Sequence, residues 1–278
     1  MAEPNCNVIG LLTDFGLKSS HYISSMKGVI LKINPIAKII DVSHNISSFS
    51  IIEASYIIKT TYKHFPRYTV FIIVVDPGVG SYREILALKS DSNYYFVGPN
   101  NGIFSDLLEN DNISECVKLQ NEDFFLHPLS NTFHGRDIMA PVGAYISKGT
   151  QLKNFGPKFS LNNLVEFPLK YEVLLKKKEI LCTIQYIDSF GNITTNIKID
   201  HNNTIKGTPF SIKFDDIIAV QIKNQSFKGK YTSHFSHVPI NALLFLRGSS
   251  GYLEISINQG SAAKELKVKV EDIIKVNL

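Results

Sequence analysis

Asp14 stands just past a short apolar run, in Leu12-Thr13-Asp14-Phe15-Gly16. A carboxylate at the exit of a buried strand can accept two hydrogen bonds from a ribose diol; it can equally cap a following helix. A second aspartate opens Asp76-Pro77-Gly78-Val79-Gly80-Ser81, again after an apolar run. The glycines there expose backbone amides able to hold an anion or a water, or simply make a tight strand exit. Arg83 follows in the same loop and can fold back onto Asp76 as a rigid pair, or form an ordinary surface ion pair. His134, in Thr132-Phe133-His134-Gly135-Arg136-Asp137, sits at a helix start, where an imidazole can handle a proton, orient a water or cap the helix. It has the most distinctive setting of the eight histidines, with His44 in Asp41-Val42-Ser43-His44 next. Asp188, Phe190 and Asn192 put a carboxylate, an aromatic ring and an amide in one short stretch. Such a set can clamp an adenine by stacking and edge reading, or build an Asx-rich hairpin turn. The last group is Gly248-Ser249-Ser250-Gly251-Tyr252-Leu253-Glu254.

Several familiar chemistries are excluded by the same stretches. Asp14-Phe15-Gly16 is no kinase metal motif, because residue 14 leaves no room for a catalytic loop upstream. The glycines after Asp76 lack the Gly-Lys-Ser/Thr ending of a phosphate loop and the third glycine of a dinucleotide fingerprint. The 248–251 turn is not the Gly-x-Ser-x-Gly elbow of a hydrolase.

The elements that must position these residues fall into two styles. Up to about residue 170, apolar runs alternate with helical spacing. Strands are predicted at 8–12, 36–42, 68–75, 85–88 and 94–97, and helices at 22–33, 51–65 and 137–146. Continuous apolar strands separated by helices imply an α/β domain, a mostly parallel sheet with helices on both faces. Ligands in such sheets sit beyond the carboxyl ends of the strands, where Asp14 and Asp76 fall. After Pro168 strand patterns dominate, at 180–187, 193–197, 210–214, 217–222, 242–246, 252–257 and 266–270. The expected organisation is an N-terminal α/β domain, 1–170, and a smaller C-terminal all-β domain, 171–278.

The 278 residues are enough for a large core without staples. A hydrophobic fraction of 44% against 19% charged excludes a disordered chain. A net charge of +4, densest at Lys176-Lys177-Lys178, gives little footing for a nucleic acid partner. No apolar run approaches the ~18 residues of a membrane span, so no membrane role is expected. The three cysteines (Cys6, Cys116, Cys182) show no metal-ligand spacing, so no metal is expected, and reduced thiols with no signal peptide point to the cytoplasm.

Singly these signals are weak; their order is specific. The chain resembles the S-adenosyl-L-methionine (SAM) hydroxide adenosyltransferases, relatives of the SAM-dependent fluorinase and chlorinase. The matching words run nearly end to end: Thr13-Asp14-Phe15-Gly16, Asp41-Val42-Ser43-His44, Val75-Asp76-Pro77-Gly78-Val79-Gly80, Gly98-Pro99-Asn100-Asn101-Gly102, Thr132-Phe133-His134-Gly135-Arg136-Asp137, Asp188-Ser189-Phe190-Gly191-Asn192 and Tyr252-Leu253-Glu254-Ile255. The resemblance implies a homotrimer with active sites at subunit interfaces, and cleavage of SAM by water to adenosine and L-methionine, with SAM as substrate and no cofactor. It puts catalytic roles on Asp76, Arg83 and His134, ribose binding on Asp14, and adenine contacts on Asp188, Phe190 and Asn192. Phe49 flanks the ligand, Ser249 serves the methionine side, and Glu254 joins the substrate-binding set.

Two departures stand out. Leu17-Lys18-Ser19-Ser20-His21 is one residue longer than in many relatives and lacks their acidic residue, and Gly248-Ser249-Ser250-Gly251 replaces an Asn-Ser-x-Gly turn. Halogenating relatives carry a tyrosine where this chain has Asp76. A carboxylate beside the nucleophile repels halide and suits water, so hydrolysis is expected ahead of halogenation. The other alternative is a non-catalytic SAM or adenosine sensor, which has no use for the Asp76, Arg83 and His134 set.

Overall fold

The computed structural model describes residues 6–108 and 111–278. The chain divides into two compact units, Met1–Phe167 and Pro168–Leu278.

In the first unit the order is β1 (Val8–Thr13), α1 (Ser20–Ile33), β2 (Lys38–Ser43), α2 (Ile51–Thr61), β3 (Val70–Val74), β4 (Ile85–Ser90), β5 (Tyr95–Pro99), α3 (Ser105–Leu108), β6 (Ile113–Lys118) and α4 (Ala140–Ser147). The sheet runs β2-β1-β3-β5-β4-β6. β1 pairs parallel with β2 and β3, and β3 with β5, but β4 pairs antiparallel with both β5 and β6. The sheet is therefore mixed, which corrects the expectation of a mostly parallel one at this edge. The cause is local: only residues 91–94 join β4 to β5, too few for a crossover, so the two strands form a hairpin. β6 escaped the apolar-run criterion because Glu115 and Lys118 interrupt it; it is the edge strand.

β3 shows why the sheet is covered on both sides. Val70, Ile72 and Val74 join one buried cluster with Met26 and Ile30 of α1 and Val142 of α4. Phe71 and Ile73 join another with Ala54 and Ile58 of α2. Alternating side chains of one strand thus feed two cores. Helix α2 starts at Ser50, whose hydroxyl accepts the Glu53 N–H at 3.4 Å. The stretch before α4 is a π-helix, Gly135–Met139. Pro141 lacks an N–H, so the Asp137 carbonyl takes no α-helical bond there and instead accepts Leu126 N–H at 2.8 Å.

The second unit comprises β7 (Tyr171–Leu174), β8 (Glu179–Ile187), β9 (Ile193–Lys198), β10 (Ile217–Ile222), β11 (Gln225–Tyr231), β12 (Leu243–Arg247), β13 (Tyr252–Ile257), α5 (Ala262–Leu266) and β14 (Ile273–Asn277). β14 pairs with β10 at one end of the sheet and with β8 near the other, closing a 7-strand barrel, with β7 added outside on β8. Ile180, Cys182, Ile184, Val220, Tyr231, Phe245, Leu253, Ile255 and Val276 fill its interior. Two strand expectations fail. Residues 210–214 form a loop held by Ile205 N–H to Phe210 O and Ile212 N–H to Asn203 O, with Phe214 stacked on Tyr231. Residues 266–270 begin as the end of α5, which Ser261 caps through Lys264 N–H, and turn at Lys267, φ 54°. The second unit is a β-barrel, in line with its strand-dominated pattern, with α5 as a short helical insertion after β13.

Candidate active site

Strand exits of the first unit carry Asp14, Asp76 and the loop to Arg83. Arg83 donates Nε–H to Asp76 Oδ1 at 2.6 Å and Nη2–H to Asp76 Oδ2. Both side chains are buried, 9% and 5% exposed, so this is the internal clamp and not the surface pair. The loop turns through Val79 N–H to Asp76 O and Ser81 N–H to Gly78 O. Gly80 is required there: at φ +79° a Cβ would lie 2.6 Å from Asn131 O.

His134 is the third member. Arg83 Nη2 lies 3.1 Å from His134 Nδ1. A guanidinium can only donate, so Nδ1 is the acceptor and the neutral ring carries its proton on Nε2. Burial and the Arg83 charge hold His134 below the ordinary histidine range, against the opposing pull of Asp76 and Asp137. The set therefore offers two complementary groups: a fixed carboxylate that accepts, and an imidazole Nε2–H that donates. The His134 segment is anchored by Asp137, which is fully buried and accepts from Arg136 Nε at 2.6 Å and Ser130 N–H at 2.8 Å.

Asp14 accepts the Phe49 N–H through Oδ2 at 2.8 Å. Burial pushes its carboxyl above the usual carboxylate range, and the nearby Asp76 charge adds to this against the Phe49 N–H. Phe49 itself has φ 69° and a ring 69% exposed. The backbone is held in the left-handed region while the side chain projects outward, an arrangement that costs energy unless something over-determines it. Thus the five residues expected in this unit form two linked groups, Asp14 with Phe49 and Asp76 with Arg83 and His134.

Of the matching words in this unit, Gly98-Pro99-Asn100-Asn101-Gly102 has a structural task. Asn101 Nδ2 donates to Val75 O, the residue before Asp76, and Asn100 Oδ1 accepts Val165 N–H.

In the second unit, Asp188, Phe190, Asn192, Ser249 and Glu254 all line one cavity of about 780 Å³. That volume lies in the range of small-molecule sites. Asp188 Oδ1 accepts the N–H groups of Phe190 and Asn192, each at 2.9 Å, and Oδ2 accepts Asn192 Nδ2–H at 2.8 Å. Asp188 is thus the organiser of an Asx turn, and the ring it presents, Phe190, is 76% exposed. Gly191 makes the turn possible: its φ is +87°, and a Cβ would fall 1.9 Å from Ser261 Oγ. Burial pushes the Glu254 carboxyl up; the Ser256 hydroxyl, donating to Oε1 at 3.1 Å, opposes this, and the Asp188 charge adds to it. Gly248 leaves room for that carboxylate, since a Cβ there would lie 2.8 Å from Oε2.

The sequence reading did not anticipate Phe235, Leu246, Gln259 and Ser261 on the cavity wall. The Gln259-Gly260-Ser261 turn after β13 is a signal that could have marked two of them; Leu246 stands opposite Glu254 in the β12–β13 pair, and Phe235 lies in the segment between β11 and β12. Among the described residues, no group of three or more His, Cys, Asp or Glu could hold a metal ion, and no helix is long and apolar enough to cross a membrane.

A clamped polar set at the strand exits of an α/β unit, followed by a β-barrel with its own cavity, defines a small-molecule-handling protein of two units. Comparison with known proteins shows the family. The family model for the SAM hydroxide adenosyltransferase N-terminal domain matches residues 9–156, and that for the C-terminal domain matches residues 182–275. The chain belongs to the SAM hydroxide adenosyltransferase family. It is 34% identical to the (R)-S-adenosyl-L-methionine hydrolase of Methanocaldococcus jannaschii, over 99% of this chain and 98% of that one. A fluorinase of Nocardia brasiliensis is 21% identical over 98% and 97% of the two chains. The crystal structure of an uncharacterized conserved protein from Thermotoga maritima superposes with a TM-score of 0.88 at 35% identity, covering 97% of this chain and all of that one.

Proposed function

We propose that this protein is an enzyme that hydrolyses S-adenosyl-L-methionine to adenosine and L-methionine. The observation that carries the reading is the Asp76–Arg83–His134 set, with the Asp76 and Arg83 side chains buried, which a protein that only binds SAM does not need. The full-length likeness to SAM hydrolases supports the substrate. The step is in-line attack of a water oxygen on the ribose 5′ carbon. The C5′–S bond breaks, its electron pair goes to sulfur, and methionine leaves as a neutral thioether. The water proton is released, and the oxygen becomes the 5′ hydroxyl of adenosine. The leaving group needs no acid, so the protein's work is positioning and water activation. Asp76 accepts an O–H of the water on lone pairs that Arg83 leaves free, and His134 Nε2–H holds the water oxygen. Asp14 binds the ribose diol beside Phe49. Phe190 and Asn192, on the turn made by Asp188, take the adenine, with Ser249 and Glu254 toward the amino-acid end.

The same reading includes a homotrimer with active sites at subunit interfaces, an N-terminal domain ending near residue 170, a cytoplasmic location, and no requirement for a metal or cofactor. The test is incubation with each sulfur epimer of SAM, with and without excess chloride or fluoride, followed by chromatography. Equal amounts of adenosine and methionine with no halogenated nucleoside support hydrolysis. A halogenated product would move the protein to the halogenases, which its fluorinase relatives make the second reading. Binding without turnover would make it a sensor.

A further inference from the structure

The word Asp41-Val42-Ser43-His44 has no place in the reaction above, yet its side chains reach the loop that carries Asp14. Lys27 Nζ donates to Asp41 Oδ2 at 2.7 Å. Asp41 Oδ1 lies 3.1 Å from His44 Nε2, and His44 Nδ1 lies 2.9 Å from Thr13 Oγ1. Thr13 is fully buried, and its oxygen accepts the Phe15 N–H at 3.4 Å. The Asp41 carboxylate faces Nε2 as a charge contact outside hydrogen-bond geometry, while the ring's hydrogen bond is the one that Nδ1 shares with the Thr13 hydroxyl.

The His44 main chain adds a second hold, since its carbonyl accepts Gly16 N–H at 2.8 Å. Asp14 therefore sits between two residues, Thr13 and Gly16, that His44 grips from either end. Its carboxylate ties to Phe49 further along the same 44–49 segment. Thr13 cannot serve as a nucleophile, being enclosed, so the triad-like order of Asp41, His44 and Thr13 is a bracing device. A β-sheet register irregularity between Leu11 and Leu12 brings Ser43 opposite Leu12 and sets the two strand ends level.

We infer that His44, oriented by Asp41, is the positioning residue that fixes Asp14 for recognition of the ribose hydroxyls. This rests on the reading of Asp14 as the ribose ligand, so the test must separate the two. Binding of adenosine and 2′-deoxyadenosine is measured by calorimetry, which needs no turnover. The wild-type protein is expected to prefer adenosine by about tenfold or more, the size of a hydrogen bond to a charged group. Asp14→Ala removes that preference. His44→Ala reduces it to within about threefold, with 2′-deoxyadenosine affinity little changed, and the Asp14→Ala/His44→Ala pair is no worse than Asp14→Ala alone. Asp41→Asn, at a half-exposed site and mild enough to fold, gives a smaller loss of the same ratio. A purely structural His44 would weaken both nucleosides equally and leave the ratio intact, which overturns the inference. If Asp14→Ala keeps the preference, the ribose reading of Asp14 fails and this inference falls with it. A lost preference in Asp14→Ala alone, with His44→Ala unchanged, sinks only the role of His44.

Discussion

Asp76 has both carboxylate oxygens engaged by one guanidinium, so its orientation is set before any ligand arrives. Asp76→Asn would put an amide N–H against the Arg83 donors. We expect turnover of SAM to slow by ~10²-fold or more while SAM binding survives; unchanged turnover at normal binding removes Asp76 from water activation. His134 gives a pH signature. Its pKa is depressed in the fold, chiefly by burial and then by Arg83. The neutral form needed to accept from Arg83 thus persists below the ordinary histidine range. The acid limb of kcat/KM should fall below pH ~6.5, the unperturbed histidine value, and His134→Gln should remove that limb. The sign for stability is the same. A depressed histidine leaves the unfolded chain binding more protons, so its contribution is present above the unfolded pKa and is lost as pH falls through the window between the two values. A limb centred above pH ~6.5 would contradict the downward shift that burial and Arg83 give His134.

At the scale of elements, each site group depends on a turn that only certain residues can make. The 188–192 turn joins β8 to β9 and shares Ser261 with the start of α5. Gly191→Ala meets both a left-handed φ and a collision with Ser261 Oγ. It should cost about 1–3 kcal/mol in denaturant unfolding and weaken adenosine binding, since both segments line the cavity. Adding Ser261→Gly relieves the collision but not the φ, so only part of the loss should return. Full stability of Gly191→Ala would mean that the turn readjusts freely. The elements were unequally legible. β1, β3, α1 and β13 were plain in the pattern because buried runs and helical spacing are local properties. β6, β11 and β14 were missed because their lysines and glutamates break the apolar run, and what makes them strands is a partner far along the chain.

At the scale of the whole molecule, several large apolar side chains on the functional loops are open in the single chain. Leu17 is 83% exposed, Phe49 69% and Phe190 76%, and Tyr82, next to Arg83, is fully exposed at 105%. The proposed homotrimer supplies a reason for them. Light scattering should give the mass of three chains. Tyr82→Glu, which places a charge on that loop, should shift the protein toward single chains and lower turnover, with each chain still folded by circular dichroism. A monomeric wild-type protein with full activity would remove the interface from the mechanism.

The sequence by itself determined the ordered words that carry Asp14, Asp76, Arg83, His134, Asp188 and Glu254, and the alternation of buried strands with helices in the first unit. These are local facts of residue type and spacing. It also raised, without deciding, the choice between clamp and surface pair for Asp76 and Arg83, and between ligand clamp and Asx turn for Asp188. Only the tertiary structure decided the first, through the burial of both side chains, and it showed that Asp188 organises an Asx turn with donors of its own segment. It decided as well the reversal of β4, the closure of the barrel through β14 and β8, and the brace that His44 forms on the Asp14 loop. The barrel closure and the brace join residues distant in the chain, and periodicity along one segment carries no information about such a partner.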